Sequence, residues 1–595
     1  MLEPSHDRLN YTEILRKPAP DFELTAAIAC TYSLDLSALL AALLPLGFEG
    51  DAANECRNNP VFALHALKKL LPKLAVFCDG ASIKVPDLKQ NRLLALLDRA
   101  VYPVKHKTAF HPKFWLLKFS RQDEVRYRLV ILSKNISFDR SWDMALTLDG
   151  VPSAENANGA PLSSMLQMFY KSQWGKSKRL NILAGLMDEI RQVSFFNDDI
   201  KPEDLLFIPF GTDMPVRDEF LLNDKATFHR LLVISPFLAK ETACKLFSRG
   251  RENSEKILVS RKTALGAFSG EDLPQVNCYC MKDEVIDGER SGNLNDAPLH
   301  IQQEDIHAKF YLFQQYQSNA PYIYLGSANL TQNGTSSKNV ELLVRFKLSR
   351  QKIYESICKD LFPQDHNGVF EPYQFTAPVE KSESEKLHDL LEKSYRELSL
   401  GKFSAAATND KDKYQIAITF SGKMPKDCSC QIAPLNGEYQ TLVPEITFNS
   451  QAVENLSDFY RVRLEKDGEK IERLLVIDTL SQLPGLVESR EILLEKSCLK
   501  KPEDLLEYLS YMLAENAYPI AVSRMVQSGK YGIANQQYNS MSSALYEKML
   551  YWAATDKSRL LEIKGVINHR TSANDELSDI LNLCETFYRI AGGDK

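Results

Sequence analysis

Two segments of the chain carry one set of polar side chains at nearly one spacing, and that set can cleave a phosphodiester. The first, FHPKFWLLKF, holds His111 and Lys113; Ser133 and Asn135 follow in VILSKNISF, and Asp143 in SWDMAL. The second, IHAKFYLFQQ, holds His307 and Lys309; Ser327 and Asn329 follow in YLGSANLTQ, and Glu341 in NVELLV. The offset between copies is 196 residues for the histidines, 194 for the serines and 198 for the acids. A lone His-x-Lys is an ordinary pair on a surface strand. Two in register, each followed by Ser-x-Asn and an acid, point to a duplicated fold that joins two His-Lys-Asn sets in one site.

Attack at phosphorus needs a nucleophile in line with the leaving oxygen, an acid for that oxygen, and positive groups around the equatorial oxygens. Two histidines divide the first two tasks. A neutral imidazole attacks and becomes phosphohistidine, while a protonated one serves the leaving group and then takes a proton from water. The residues alone leave open which histidine does which. Lys113 and Lys309 supply charge, Asn135 and Asn329 add amide donors, and Ser133 and Ser327 add hydroxyls at the same oxygens. Each imidazole needs its far nitrogen fixed, a task for Asp143 and Glu341. With two lysines in place the reaction requires no metal and no other cofactor.

Other polar residues give weaker signals. Lys105, His106 and Lys107 in VKHKTAFHPK would steer a phosphate backbone, with a solvated basic loop as the plain alternative. Phe114, Trp115, Phe310 and Tyr311 would stack on bases, but their alternation on strands reads as core packing. The pairs Cys278/Cys280 and Cys428/Cys430 lack the spacing and partners of a zinc site.

The elements around the motifs alternate between strand and helix. FELTAAIACTY, KLAVFCDG, KFWLLKF and YRLVILS read as strands. DLSALLAALLPL, capped at Asp35 or Ser37, and KQNRLLALLDRA, APLSSMLQMFYKSQ and RLNILAGLMDEIRQV read as helices. The scheme recurs with HRLLVISPF, KILVSR, KFYLFQQ and YIYLGSA as strands and AKETACKLFSRG as a helix. The expected fold class is α/β: two α/β/α sandwich lobes, over 1–190 and 191–375, with the site at strand ends between them. A charged helix and linker is expected over 376–412, a small β domain over 413–485 and a helical domain over 486–595.

Composition narrows the class of protein. At 595 residues the chain is long enough for about three to five domains. The net charge of −6 gives no global positive field, so a nucleic-acid substrate needs a local basic groove. The 11 cysteines are scattered and odd in number, which fits reduced thiols and a cytoplasmic location. The N-terminus MLEPSHDRLNYTEILRK lacks the features of a signal peptide. The most apolar stretch is broken by Asp35 and Pro45, so no membrane contact is expected.

The paired HPK…SKN and HAK…GSANLT motifs resemble the phospholipase D superfamily, whose pattern is H-x-K-x4-D followed by G-S-x-N. The chain departs from it at Lys118 and Gln314, where the pattern has Asp, and at Leu132, which stands in the place of Gly326. His-Lys-Asn sets without that Asp are similar to those of tyrosyl-DNA phosphodiesterase. The resemblance covers roughly residues 20–350. It implies two phospholipase D-like lobes, with His111 as nucleophile and His307 as general acid and base. It further implies a metal-independent nuclease or DNA-end-processing enzyme acting on DNA in preference to RNA. A phospholipid hydrolase or phosphatidyltransferase, and a non-catalytic DNA-binding subunit, are the alternatives. By analogy, the setting is bacterial phage defence, with a helicase or ATPase partner engaged through the C-terminal domains.

Overall fold

The structure, a computed structural model, describes residues 14–19, 21–47, 60–86, 92–138, 141–170, 181–212, 226–282, 306–315, 321–336, 338–348, 352–363, 368–375, 382–410, 413–482, 490–495, 508–509, 546, 549–554, 560 and 575–591. In the first half, strands β1 (Glu23–Thr31), β2 (Leu74–Asp79), β3 (Val101–Val104), β4 (Phe114–Arg121), β5 (Glu124–Leu132), β6 (Ala145–Pro152) and β7 (Val193–Phe196) form one sheet. Its order is β3-β2-β1-β4-β5-β6-β7. The first three strands are parallel and the rest antiparallel. Parallel strands covered on both faces need unbroken apolar runs, and β2 (LAVFCD) is buried at every position.

Helices α1 (Leu36–Gly47) and α2 (Pro60–Leu70) link β1 to β2; α3 (Ala160–Phe169) and α4 (Asn181–Glu189) link β6 to β7. Asp35 is the cap of α1, its carboxylate accepting from the Ser37 and Ala38 amides at 2.9 and 3.3 Å. The expected helix at KQNRLLALLDRA is instead a 3-10 helix, Arg92–Arg99. Leu93 to Asp98 are all buried there, so tertiary packing overrides helical propensity.

The second half repeats the scheme with β8 (Leu205–Phe210), β9 (Phe228–Ile234), β10 (Gly250–Val259), β11 (Asn277–Met281), β12 (Phe310–Gln314), β13 (Tyr322–Gly326), β14 (Glu341–Phe346) and β15 (Phe370–Pro372). Helices α5 (Lys240–Phe247), α6 (Lys262–Leu265), α7 (Gln332–Thr335) and α8 (Ile353–Leu361) lie between them. The order is β15-β11-β10-β9-β12-β13-β14-β8. Six strands thus match one for one: β3-β2-β1-β4-β5-β6 corresponds to β11-β10-β9-β12-β13-β14, three parallel and then three antiparallel in each.

Period-2 alternation sends one face of each sheet to a shared core. Ile28, Phe77, Leu116 and Ile131 of the first sheet join Leu232, Phe310, Leu312 and Leu325 of the second in one apolar cluster. Trp115 faces the opposite side of the first sheet and Tyr311 that of the second. All four aromatic residues beside the lysines are therefore core.

Beyond residue 375, α9 (Glu383–Ser399) begins with a Ser382/Glu385 capping box. It leads directly into β16 (Lys402–Asp410), a strand where a linker was expected. With β17 (Lys413–Ser421), β18 (Ser429–Pro434), β19 (Gln440–Thr441), β20 (Glu445–Gln451), β21 (Phe459–Lys466) and β22 (Glu469–Val476), it builds sheets β16-β17-β20 and β19-β18-β21-β22. Leu391, Tyr395 and Leu398 of α9 pack into their common core. α10 (Asp575–Ile590) is the last described helix; residues 376–381 and most of 496–574 lie outside the described residues. Among the described residues no helix is long and apolar enough to cross a membrane.

Candidate active site

Both motifs sit at the same end of their sheets. Lys113 and Lys309 immediately precede β4 and β12, Ser133 and Ser327 follow β5 and β13, and Glu341 opens β14. Antiparallel pairing brings those ends together, beside the C-terminal ends of β1, β2, β9 and β10. The two halves then exchange backbone bonds. The His111 amide donates to Val340 O at 2.9 Å, and the His307 amide to Trp142 O at 2.8 Å. Each histidine is thus tied to the residue before the other half's acid.

The His111 end forms a chain of polar contacts. Its Nδ1 lies 2.8 Å from Glu341 Oε2, a bond that crosses from one sheet to the other. Ser327 Oγ donates to the same oxygen at 2.5 Å and Asn339 Nδ2 to Oε1 at 3.1 Å. Burial works to raise the Glu341 pKa, but His111, Lys113 and the Ser327 hydroxyl outweigh it and hold the group below its ordinary value. A carboxylate there fixes the Nδ1–H tautomer and leaves the Nε2 lone pair for attack. Lys113 Nζ stands 2.9 Å from that Nε2 and donates to His111 O at 3.1 Å. Burial lowers the His111 pKa, with Glu341 opposing and the two lysines adding to the fall. Burial likewise takes the Lys113 ammonium down to about 7.

The second half is built differently. His307 Nδ1 lies 2.8 Å from the Ser133 carbonyl, where the sequence suggested Asp143. Asp143 acts here as a charge on Lys309. Its side chain is one methylene shorter than that of Glu341, the acid at the matching position. Lys309 Nζ contacts His307 O at 2.5 Å, His307 Nδ1 at 3.0 Å and Ser133 O at 3.3 Å. Burial, then neighbouring Lys309 and Lys113, drop the His307 pKa well below its usual value. Burial, then Lys113 and Arg261, do the same to Lys309.

The two serine hydroxyls bond to backbone of the neighbouring strands. Ser133 Oγ donates to Met144 O at 3.1 Å and accepts from Met144 N at 2.9 Å. Ser327 Oγ makes the matching pair with Leu342, at 3.4 and 3.0 Å. Both hydroxyls pin neighbouring strands, and Ser327 also holds Glu341. Asn135 accepts from the Ser33 amide at 3.4 Å, while the Asn329 carbonyl oxygen is buried without a partner among the described residues. Gly326 has φ of +153°, and a Cβ there would meet Leu342 O at 2.2 Å, so the second strand exit requires glycine. Leu132, in the matching place, is part of regular β5.

Residues 221–371 match the family model of the NgoFVII restriction endonuclease N-terminal PLD domain. Over that stretch the chain is similar to a phospholipase D domain. The matched stretch holds His307, Lys309, Asn329 and Glu341, whereas His111, Lys113 and Asn135 lie N-terminal to it. No curated protein matches the chain by sequence.

Where the superfamily pattern has Asp, Lys118 pairs with Glu189 at 2.7 Å, well along β4 from the histidine. Of the basic-loop residues, Lys105 donates to Gly401 O at 2.5 Å, just past α9, and Lys107 is exposed.

Four residues that sequence reasoning passed over adjoin the candidate site. Asp79 and Arg261 stand at matching places, two residues beyond the positions on β2 and β10 that pair with Cys30 and Ile234. Asp79 Oδ2 accepts from the Phe110 amide at 2.8 Å, and Arg261 Nε donates to Ile306 O at 2.8 Å. Each therefore anchors the residue before a catalytic-candidate histidine. For Asp79 the available signal was an acidic residue closing the apolar run of β2. Arg396 of α9 donates to Asp79 Oδ2 at 3.0 Å and to Tyr32 Oη at 3.3 Å, and the Tyr32 ring lies 5.1 Å from that of His111.

Arg396→Ala leaves the fully buried Asp79 carboxylate without its cation, and is expected to cost about 3 kcal/mol of stability. The pair Arg396→Met with Asp79→Asn should cost less, because no charge is then left buried alone. Urea melts of the three proteins check the order.

Proposed function

We propose that the chain is a metal-independent phosphodiesterase of nucleic acid, in which two phospholipase D-like lobes each supply a His-Lys-Asn set to one site. The observation that carries this reading is the His111 Nδ1–Glu341 Oε2 bond of 2.8 Å between the two sheets. It makes an imidazole with its lone pair on Nε2, beside an ammonium group.

In the first step His111 Nε2 attacks phosphorus. The P–N bond forms, the P–O bond to the leaving group breaks, and that oxygen takes a proton from His307. Lys113, Lys309, Asn135 and Asn329 balance the charge on the non-bridging oxygens. In the second step His307 removes a proton from water as it attacks phosphorus, and the P–N bond breaks. The ammonium groups supply the positive charge that a divalent cation provides in other phosphodiesterases. DNA is the proposed substrate, supported by the matching family being a restriction endonuclease domain.

Labelled single- and double-stranded DNA, RNA and phospholipid, each incubated with the protein in EDTA, test the reading. DNA cleavage in EDTA is the expected result. Cleavage that requires added Mg²⁺, or turnover of lipid alone, would overturn it.

The pH dependence follows from the protonation states the two steps need. Lys113, Lys309 and His307 must be protonated and His111 neutral. Lys113 has a pKa of about 7, so its charge is present below that pH and is lost as the pH rises through it. Burial depresses both histidines, which keeps His111 neutral below the usual histidine range and restricts protonated His307 to lower pH. A kcat/KM profile on a DNA substrate should therefore peak on the acid side of neutrality and fall by at least about tenfold per unit on its alkaline limb, more steeply where more than one of these groups loses its proton. A maximum above pH 8 would contradict these assignments.

A further inference from the structure

Phe237 is 49% exposed, in the loop that leaves β9. A single exposed phenylalanine needs no explanation by itself. Two features set this one apart. Its ring lies 4.9 Å from the guanidinium carbon of Arg261, so a cation covers one face and leaves the other to solvent. The loop is also fastened to the site from two directions. Ser235 Oγ donates to Phe237 O at 2.8 Å and accepts from the Leu330 amide at 3.0 Å, next to Asn329. Arg261 Nε bonds Ile306 O, next to His307.

Comparison of the two halves shows that the aromatic is not demanded by the fold. Thr31 Oγ1 donates to Ser33 O at 2.8 Å and accepts from the Ile136 amide at 3.0 Å, the same pair of bonds that Ser235 makes. Ser33 therefore occupies the place of Phe237 in the first half. The first half does carry an aromatic in this loop, Tyr32, but one residue earlier and with its hydroxyl accepting from Arg396, so at the position of Phe237 the two halves are asymmetric toward a ligand.

We propose that Phe237 and Arg261 form a stacking platform for one unpaired nucleobase on the His307 side of the site, the side of the leaving group. The proposal rests on the nucleic-acid reading above and sharpens it to substrates that are single-stranded or frayed at the scissile phosphate. A base has an apolar face for the phenyl ring, and the strand's phosphate charge favours the nearby guanidinium, a combination that is indifferent to sequence. A paired base within a duplex has both faces covered and cannot stack on the ring.

The test uses the full-length protein with single-stranded oligonucleotides. In a His111→Ala background, 2-aminopurine walked through the strand should be quenched at one position, and Phe237→Ala should remove that quenching. In the cleaving enzyme Phe237→Ala should raise KM on single strands about tenfold with little change in kcat, and Phe237→Trp should restore it. An abasic residue at the quenched position should raise KM by a similar factor for the parent enzyme and by nothing further for Phe237→Ala. An unchanged KM, additive losses, or cleavage confined to fully paired duplex would overturn the platform while leaving the nuclease reading intact. Failure of the parent enzyme to bind or cut any nucleic acid would overturn both.

Discussion

His111→Ala is expected to reduce cleavage by at least about a thousandfold, because it removes the atom that bonds to phosphorus. His307→Ala should behave differently. Its first step stalls only when the leaving oxygen needs a proton. With a p-nitrophenyl phosphodiester, whose leaving group departs unprotonated, His307→Ala should still release p-nitrophenolate once per site and then stop. The second step has lost the base that activates water. Rapid mixing with absorbance detection would show a burst of one equivalent for His307→Ala and none for His111→Ala. The opposite pattern would reverse the two roles. The asymmetry of the site motivates the assignment: His111 Nδ1 faces the ionised Glu341, whereas His307 Nδ1 faces a carbonyl oxygen.

Glu341→Gln is expected to lower kcat by about a hundredfold to ten-thousandfold while the protein stays folded. A carboxamide no longer enforces the Nδ1–H tautomer, and it forfeits the charge that accepts from Ser327 and Asn339. Glu341 also acts to raise the pKa of both His111 and Lys113. Its neutralisation therefore lowers both, and the alkaline fall in kcat/KM should begin at lower pH than in the parent. That shift separates loss of electrostatic support from a merely local packing defect. Glu341→Asp should not rescue activity, since the shorter acid is what the other half carries in Asp143, and His307 takes a backbone partner there instead.

The strands were legible because their chemistry is one-sided. KFWLLKF, YRLVILS, KFYLFQQ and YIYLGSA are apolar runs buried on both faces, and all four are strands in the structure. The polar set beside them was legible because it occurs twice. What spacing could not convey is which half's acid serves which histidine. The Glu341–His111 bond joins residues 230 apart, and only the pairing of Phe110 with Val340 creates it. The bonds of Ser133 and Ser327 were out of reach for a related reason: a hydroxyl after a strand serves a ligand or a neighbouring strand equally well, and only the register onto Met144 and Leu342 shows the strand contacts. Arg396 was out of reach altogether. It meets Asp79 across 317 residues, from a helix whose charged sequence marks it as a linker. Helix α2, PVFALHALKKL, was passed over although its apolar residues recur at helical spacing.

The proposed mechanism turns on a covalent bond between His111 and the substrate phosphorus. Incubating His307→Ala with a p-nitrophenyl phosphodiester, whose leaving group needs no acid, quenching in alkaline denaturant to preserve the acid-labile P–N bond, and sequencing the peptides by mass spectrometry measures it directly. The predicted result is a phosphoryl adduct on the peptide FHPK, at His111. An adduct on His307 in the reciprocal His111→Ala protein, or product formed with no adduct on either histidine, would contradict it.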